Sequence, residues 1–398
     1  MKILQVNKYL HNFGGAEAYM FNLSDALRLS GHEVELWGMS NKKNIEVNHN
    51  YNIDYIDYKN QDIIQKIKNS FKTIYNNQSR KNIIPLLEEF KPDIVHLHNY
   101  NFQITPSILP EIKKRNITIV QTVHDSQIVC PYHRLYNFRL NNKCTKCVEG
   151  SFYNCILDRC FDNSLAASTI GALESYYYHN KNYYNNYIDH IISPSKFLAD
   201  LISNRFNNEI SIIPNFFEYN GKIKKDIKEN YFLYYGRLSE EKGVLSLTEI
   251  FNKAQIKLKI VGKGPLGKNI DNTKYVEYIG PLYGSELFSL LRNAKFVIQP
   301  SKGYENCPMT VVEAFSFGVP VIAPNHSGFK ELITNEQTGH LIDFNNKNQL
   351  VNFIRKIYNQ DLSQMKKKVL KYYKSNLTKK IHIKKILSIY NKYNNAKI

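Results

Sequence analysis

Four charged residues and a group of cysteines carry the chemistry in this chain. Glu305 and Glu313 stand with seven residues between them. A carboxylate accepts hydrogen bonds, and one carboxylate can take both hydroxyls of a ribose diol. Arg237 and Lys242 follow an earlier apolar run. An arginine fork beside a lysine point charge is what a diphosphate needs. Taken singly, each has a plainer reading as a solvated helix acid, a loop charge or a basic turn. Five of the six cysteines lie between Cys130 and Cys160. Among them Cys144 and Cys147, with Cys155 and Cys160, form two close pairs. Thiolates at that spacing can close around one zinc, although the second pair is looser than the first. Reduced structural cysteines and a redox pair are the competing readings.

The elements that must position these groups are legible from pattern. Phe296–Pro300 reads as a buried strand that ends in a loop carrying Glu305. Pro308 suits the first position of a helix, where its missing N–H has no partner to lose. That helix carries Glu313 and stops near Gly318, which suits the left-handed conformation. Its free first-turn N–H groups can face an anion. Pro320–Ala323 is the next strand. Tyr231–Tyr235 is the strand before Arg237, and Lys257–Val261 runs into the Gly-rich turn at Gly262. Tyr275–Gly280 reads as a strand and Ser285–Asn293 as a helix. In the first half, Lys2–Val6, the Gly14-Gly15 turn, a helix through Leu29 ended by Gly31, and Val34–Trp37 open a doubly wound α/β domain. The Gly14-Gly15 pair lets backbone approach a ligand closely. Asp93–Asn99 and Ile117–Val123 are further strands, the second ending in His124-Asp125. His124 can donate to a sugar hydroxyl or a pyrophosphate; His96 and His98 are weaker candidates. Asn163–Tyr187 reads as helical, and Ser195 as a helix cap. Strands alternating with helices argue parallel sheets.

The stretch Tyr304–Pro324 resembles the nucleotide-sugar-binding signature of glycosyltransferase family 4, through Glu305, Pro308, Glu313, Ala314, Gly318, Pro320 and Val321. These are retaining enzymes of the two-domain GT-B fold. The resemblance implies that Glu305 lies beside the donor sugar and that Glu313 binds the ribose. It extends Arg237 and Lys242 to the family's diphosphate-binding pair, Gly14-Gly15-Ala16-Glu17 to its first loop, and His124 to a sugar contact. It also implies Gly262, Asn306, Cys307, Pro308 and Met309 as donor-binding residues. Some members carry a cysteine-rich insertion after the His-Asp pair, expected here to cover the acceptor side of the crevice.

The expected fold is therefore α/β and GT-B, with two Rossmann-like domains whose parallel sheets face a central cleft. The expected domains are 1–215, with the insertion at 130–160, and 231–380, joined by a linker at 216–230. A C-terminal helix, 381–398, is expected to cross back to the first domain. No run of eighteen apolar residues is present, and the N-terminus reads as a strand rather than a signal peptide, so a cytoplasmic protein is expected. There reduced thiols favour a structural zinc in the Cys144, Cys147, Cys155 and Cys160 set over disulfides.

The net charge of +18, from 53 basic and 35 acidic residues, fits phosphorylated substrates or an anionic membrane surface. Compositional bias toward lysine accounts for part of it. No recognised RNA-binding motif interleaves aromatics with basic residues, so no nucleic-acid partner is expected. No Asp-x-Asp motif sits at a donor-metal position, so no catalytic metal is expected. The expected function is a retaining transfer from a nucleotide-diphosphate sugar, with UDP as the assumed base. The expected acceptor is a glycan or a polyprenyl-diphosphate-linked glycan in bacterial surface polysaccharide synthesis, worked on at the inner face of the plasma membrane. A sugar phosphorylase, an epimerase or a non-catalytic basic binding protein are the alternatives.

Overall fold

Near-continuous apolar runs, rather than alternating ones, mark strands that are covered on both faces. In the computed structural model, which describes residues 1–58, 63–222 and 230–395, these runs build two six-stranded sheets. Every pairing in both is parallel. The chain divides into two compact units. One comprises Met1–Arg139, Cys144–Ile213 and Ile383–Ile398; the other comprises Leu140–Lys143 and Pro214–His382. Part of the expected linker, residues 223–229, and the last three residues of the expected final helix lie outside the described residues.

In the first unit the strands are Lys2–Val6, Glu33–Trp37, Ile94–Leu97, Thr118–Thr122, His190–Ser193 and Glu209–Ile212. Their spatial order is second, first, third, fourth, fifth, sixth. The helix Gly15–Leu29 follows the first strand, and Gly31 ends it at φ +84°. This unit also holds the end of the helix Lys379–Asn395. Tyr390, fully buried, hydrogen-bonds His96 Nδ1 at 2.6 Å, and Tyr393 Oη donates to the Asp189 carbonyl at 2.9 Å. His96 Nε2 bonds Thr122 Oγ1 at 2.7 Å. His96 is thereby a core group rather than a site residue.

In the second unit the strands are Phe232–Tyr235, Leu258–Val261, Val276–Gly280, Phe296–Ile298, Val321–Pro324 and Gly339–Ile342. The order here is third, second, first, fourth, fifth, sixth. Alternation along the first strand supplies two cores. Phe232 and Tyr234 pack on one face with Phe251, Phe296 and Ile354. Tyr231, Leu233 and Tyr235 pack on the other with Val311, Val312 and Phe315. Each such side chain, fully buried, contributes about 1.5–3 kcal/mol. Residues 216–219 do not run free as a linker would. Phe217 and Tyr219 pack tilted against Phe288, with ring centroids 5.2 and 4.5 Å away, and so cover apolar surface. Among the described residues no helix is long and apolar enough to cross a membrane.

Candidate active site

In an open parallel sheet, ligands bind beyond the carboxyl ends of the strands where the order reverses. In the second unit that point lies between Phe232–Tyr235 and Phe296–Ile298. Gln299 Nε2 donates to the Tyr235 carbonyl at 3.1 Å and ties the two strand ends together. Beyond one end come Gly236 and Arg237; beyond the other comes the Glu305 loop. Lys302 and Gly303 N–H donate to the Glu241 carbonyl at 2.8 and 3.1 Å, so the Glu305 loop lies on the short turn Glu240–Lys242.

These contacts bring Lys242 to Glu305 and leave Arg237 on Glu241. Arg237 Nη2 donates to Glu241 Oε1 at 2.6 Å, with Arg237 half exposed and Glu241 buried. Lys242 Nζ is ion-paired with Glu305 Oε1. Ser301 Oγ donates to that same oxygen at 2.6 Å. Glu305 N–H donates to Ser327 Oγ at 3.1 Å, and Gly328 N–H donates to the Glu305 carbonyl at 2.8 Å. Gly328 has no room for a side chain, since a Cβ there would stand 1.6 Å from the Asn306 carbonyl. Both cations thus face a carboxylate, and a diphosphate would have to take that partner's place.

Glu313 lies on the helix Met309–Ser316. Pro308 caps this helix in an extended conformation, one residue earlier than its expected place inside the first turn. Gly318 adopts φ +72° after the helix, in the left-handed region expected of it. Burial pushes the Glu313 carboxyl up to about 7, against a hydrogen bond from Tyr235 that favours its charged form. The Tyr235 hydroxyl also donates to the Thr310 carbonyl at 2.8 Å. Cys307 is buried, with the Asn215 N–H at 3.4 Å from its sulfur. Gly262, at φ +145°, packs so closely that a Cβ would stand 1.9 Å from the Gly236 carbonyl, so it shapes the turn that bears Arg237.

The remaining candidates lie in the first unit. Gly14 is extended at φ −162°, a conformation open to any residue, and caps the first helix. Beside Gly15 a Cβ would meet nothing within 4 Å. The glycine pair is therefore not required by backbone strain. His124 Nε2 lies 3.0 Å from His98 Nδ1, and His98 Nε2 lies 2.6 Å from Gln5 Oε1. Burial pushes His124 down to about 4, so its ring is neutral near pH 7. His98, fully buried, supports His124 from behind. Cys144, Cys147, Cys155 and Cys160 surround one small cavity together with Cys130.

Ser301, Ser327, Glu241 and Tyr235 escape a reading of the sequence. Only Tyr235 leaves a signal there: alternation places it on the same sheet face as Tyr231 and Leu233, the face covered by the Glu313 helix.

Known proteins resemble the chain in sequence and in fold. Residues 215–376 match the model of glycosyl transferases group 1, and residues 13–155 match that of Glycosyltransferase Family 4. An uncharacterized glycosyltransferase of Methanocaldococcus jannaschii is 28% identical over 183 residues, 44% of this chain and 50% of that protein. A lipopolysaccharide 1,2-N-acetylglucosaminetransferase of Salmonella typhimurium is 27% identical over 198 residues, 42% of this chain and 52% of that protein. In fold, the chain is similar to sucrose-phosphate synthase from Thermosynechococcus elongatus, with TM-score 0.71, 16% identity and 99% of each chain covered. It is also similar to Anabaena HepE in complex with UDP-glucose, with TM-score 0.65, 16% identity, and 98% of this chain and 100% of that one covered. These matches define the class of fold: the chain has the GT-B fold, and its two halves match, in order, a family 4 and a group 1 glycosyltransferase model. It spans about half the length of the curated relatives it matches.

Proposed function

We propose that the protein is a retaining glycosyltransferase that moves a sugar from a nucleotide-diphosphate sugar to a glycan or polyprenyl-diphosphate-linked acceptor. The observation that carries this reading is the Lys242–Glu305 ion pair, with Arg237 five residues before Lys242, beyond the strand ends where the second sheet reverses its order. Two cations after one strand end fit a diphosphate. A half-buried carboxylate on the adjoining helix, Glu313, fits the ribose diol. The UDP-glucose bound by the Anabaena neighbour supports a UDP-sugar donor.

In the proposed reaction the diphosphate displaces Glu241 from Arg237 and Glu305 from Lys242. The two cations then stabilise the charge that grows on the leaving diphosphate, the main catalytic term expected. Glu305, released from Lys242 but still held by Ser301, lies beside the donor sugar. The acceptor hydroxyl attacks from the face the diphosphate leaves. A bond forms from the acceptor oxygen to the anomeric carbon, the bond to the diphosphate oxygen breaks, and the diphosphate takes the proton. No enzyme nucleophile is needed. His124, neutral near pH 7, serves as a hydrogen-bonding group for a sugar hydroxyl or the pyrophosphate.

The lipopolysaccharide relative from Salmonella supports a role in bacterial surface polysaccharide synthesis. Exposed Lys366, Lys367, Lys368 and Lys371 suit work at the anionic inner face of the plasma membrane. Thermal shift with UDP, GDP and ADP sugars is the first test, since a ligand that binds the native state raises Tm. A UDP-sugar should raise Tm and support transfer with retained anomeric configuration. Inversion at the anomeric carbon, or full turnover by Arg237→Ala, would overturn the mechanism. Phosphorolysis of a glycan by free phosphate would favour the phosphorylase class instead.

A further inference from the structure

The cysteine-rich segment has little apolar core of its own. Its cluster is small: Cys147, Phe152, Cys155 and Ala172, with Ile156, Cys160, Phe161 and Tyr176 packed against them. Its two helices, Lys146–Glu149 and Tyr153–Leu157, are each about one turn long. Modules of this kind usually need a staple, either a disulfide or a metal. All five cysteines here are free.

The five thiols converge from three places in the chain. Cys130, Cys144, Cys147, Cys155 and Cys160 line a single cavity of about 10 Å³, room for one water-sized body. Backbone N–H groups are already aimed at the sulfurs. Tyr132 and Leu135 donate to Cys130, Lys146 donates to Cys144, and Cys155 donates to Cys147. Tyr132 and Lys146 each stand two residues after the cysteine they serve. N–H groups disposed in this way offset thiolate charge, as outer-shell partners do around a metal. Arg205 anchors the module from outside by donating to the carbonyls of Cys147 and Gly150, and within it Lys146 Nζ donates to Asp158 Oδ2 at 2.9 Å.

We propose that this cluster holds one thiophilic divalent cation, zinc by its chemistry, through Cys130, Cys144 and Cys147 with a fourth thiolate from the Cys155–Cys160 pair. Spacing along the chain selects Cys144, Cys147, Cys155 and Cys160; the fold brings in Cys130 as well. Among the described residues no three His, Cys, Asp or Glu side chains are placed to hold a metal ion as they stand. Cys155 and Cys160 instead hydrogen-bond each other. Closure requires cysteine side chains to rotate between staggered wells and the bound thiols to release their protons. Soft sulfur ligands in a four-coordinate set favour zinc over magnesium or calcium. Cys130 lies six residues after His124, and its N–H donates to the Ser126 carbonyl at 2.8 Å. The cation would therefore fasten the turn after His124 to the insertion.

The test is elemental analysis of the full-length purified chain, followed by cobalt exchange. About one zinc per chain and thiolate-to-cobalt charge-transfer bands are expected. Cys130→Ser should weaken metal retention by more than the ~10-fold that loss of an outer-shell partner brings. Cys307→Ser, outside the cluster, should leave it unchanged. Five thiols reacting freely in metal-free native protein, or a Cys155–Cys160 disulfide in its place, would overturn the proposal. An unaltered cobalt spectrum in Cys130→Ser would remove Cys130 from the set. If that variant does not fold, chelator competition on the wild-type chain decides, since the stoichiometry and the sulfur bands need no variant. None of these readouts depends on glycosyl transfer.

Discussion

Lys242 and Glu305, sixty-three positions apart, share an ion pair, and Ser301 Oγ donates to the same carboxylate oxygen at 2.6 Å. Under the proposed function, the diphosphate's lysine and the donor sugar's acid thus hold each other, and a bound donor would have to part them. Lys242→Ala and Arg237→Ala should each lower kcat/KM by about 100-fold or more, as the loss of a preorganised charge partner does. Steady-state kinetics with the donor found by thermal shift checks this. Loss of less than ~3-fold in both variants would separate these cations from the reaction.

Glu305→Gln should behave differently. It removes the acid while releasing Lys242 to a diphosphate. The free nucleoside diphosphate is expected to bind as tightly as to wild type or up to ~10-fold more tightly, a gain near the 1.4 kcal/mol scale, while kcat falls. Calorimetric titration beside turnover measurements reads both. Weaker diphosphate binding in this variant would show that Glu305 does not compete for Lys242.

Ser301→Ala and Ser327→Ala address the support of that carboxylate. Each removes one hydrogen bond, to the side chain and to the backbone of Glu305 respectively. A loss of about 1–2 kcal/mol in transition-state stabilisation is expected, roughly 5–30-fold in kcat, with Tm nearly unchanged. Parallel melting curves distinguish loss of positioning from loss of fold.

The Glu313 carboxyl is raised to about 7 by burial, from an ordinary value near 4.5. The folded state therefore holds its proton more tightly than the unfolded state does. Its stabilising effect is full below pH ~4.5 and is lost as pH climbs toward 7. Donor affinity should run the other way. The carboxylate form, dominant above about pH 7, accepts both ribose hydroxyls, so binding should strengthen with pH through that range. Glu313→Gln should abolish the step. A pH-independent donor Kd in the wild-type chain would rule out ionisation of Glu313 as part of recognition.

Glu174 provides a control outside the residues proposed for the donor. It is buried in the first unit among Asn101, Ser175 and several tyrosines, and burial raises its carboxyl to about 8. By the same sign, its ionisation destabilises the fold as pH rises toward and past 8. Glu174→Gln should raise Tm above pH 8 by roughly 2–4 °C and matter far less at pH 5. Melting curves at the two pH values settle it.

The sequence by itself determined the sheets and most of the site's inventory. Strands such as Phe232–Tyr235 and Phe296–Ile298 are apolar runs that a doubly covered parallel sheet buries, and Gly31 and Gly318 follow helix ends because glycine takes the left-handed backbone there without strain. Arg237, Lys242, Glu305 and Glu313 stand out because their types and spacing fall at strand and helix ends. Pairing was beyond its reach. That Lys242 meets Glu305, that Tyr235 reaches Glu313, that His98 backs His124 and that Cys130 joins four later cysteines are contacts between distant segments. Local pattern records which face a side chain takes along its own strand or helix. Only packed sheets and loops decide which other face it meets, and burial, which sets the charge state of Glu313 and His124, exists only once they have packed.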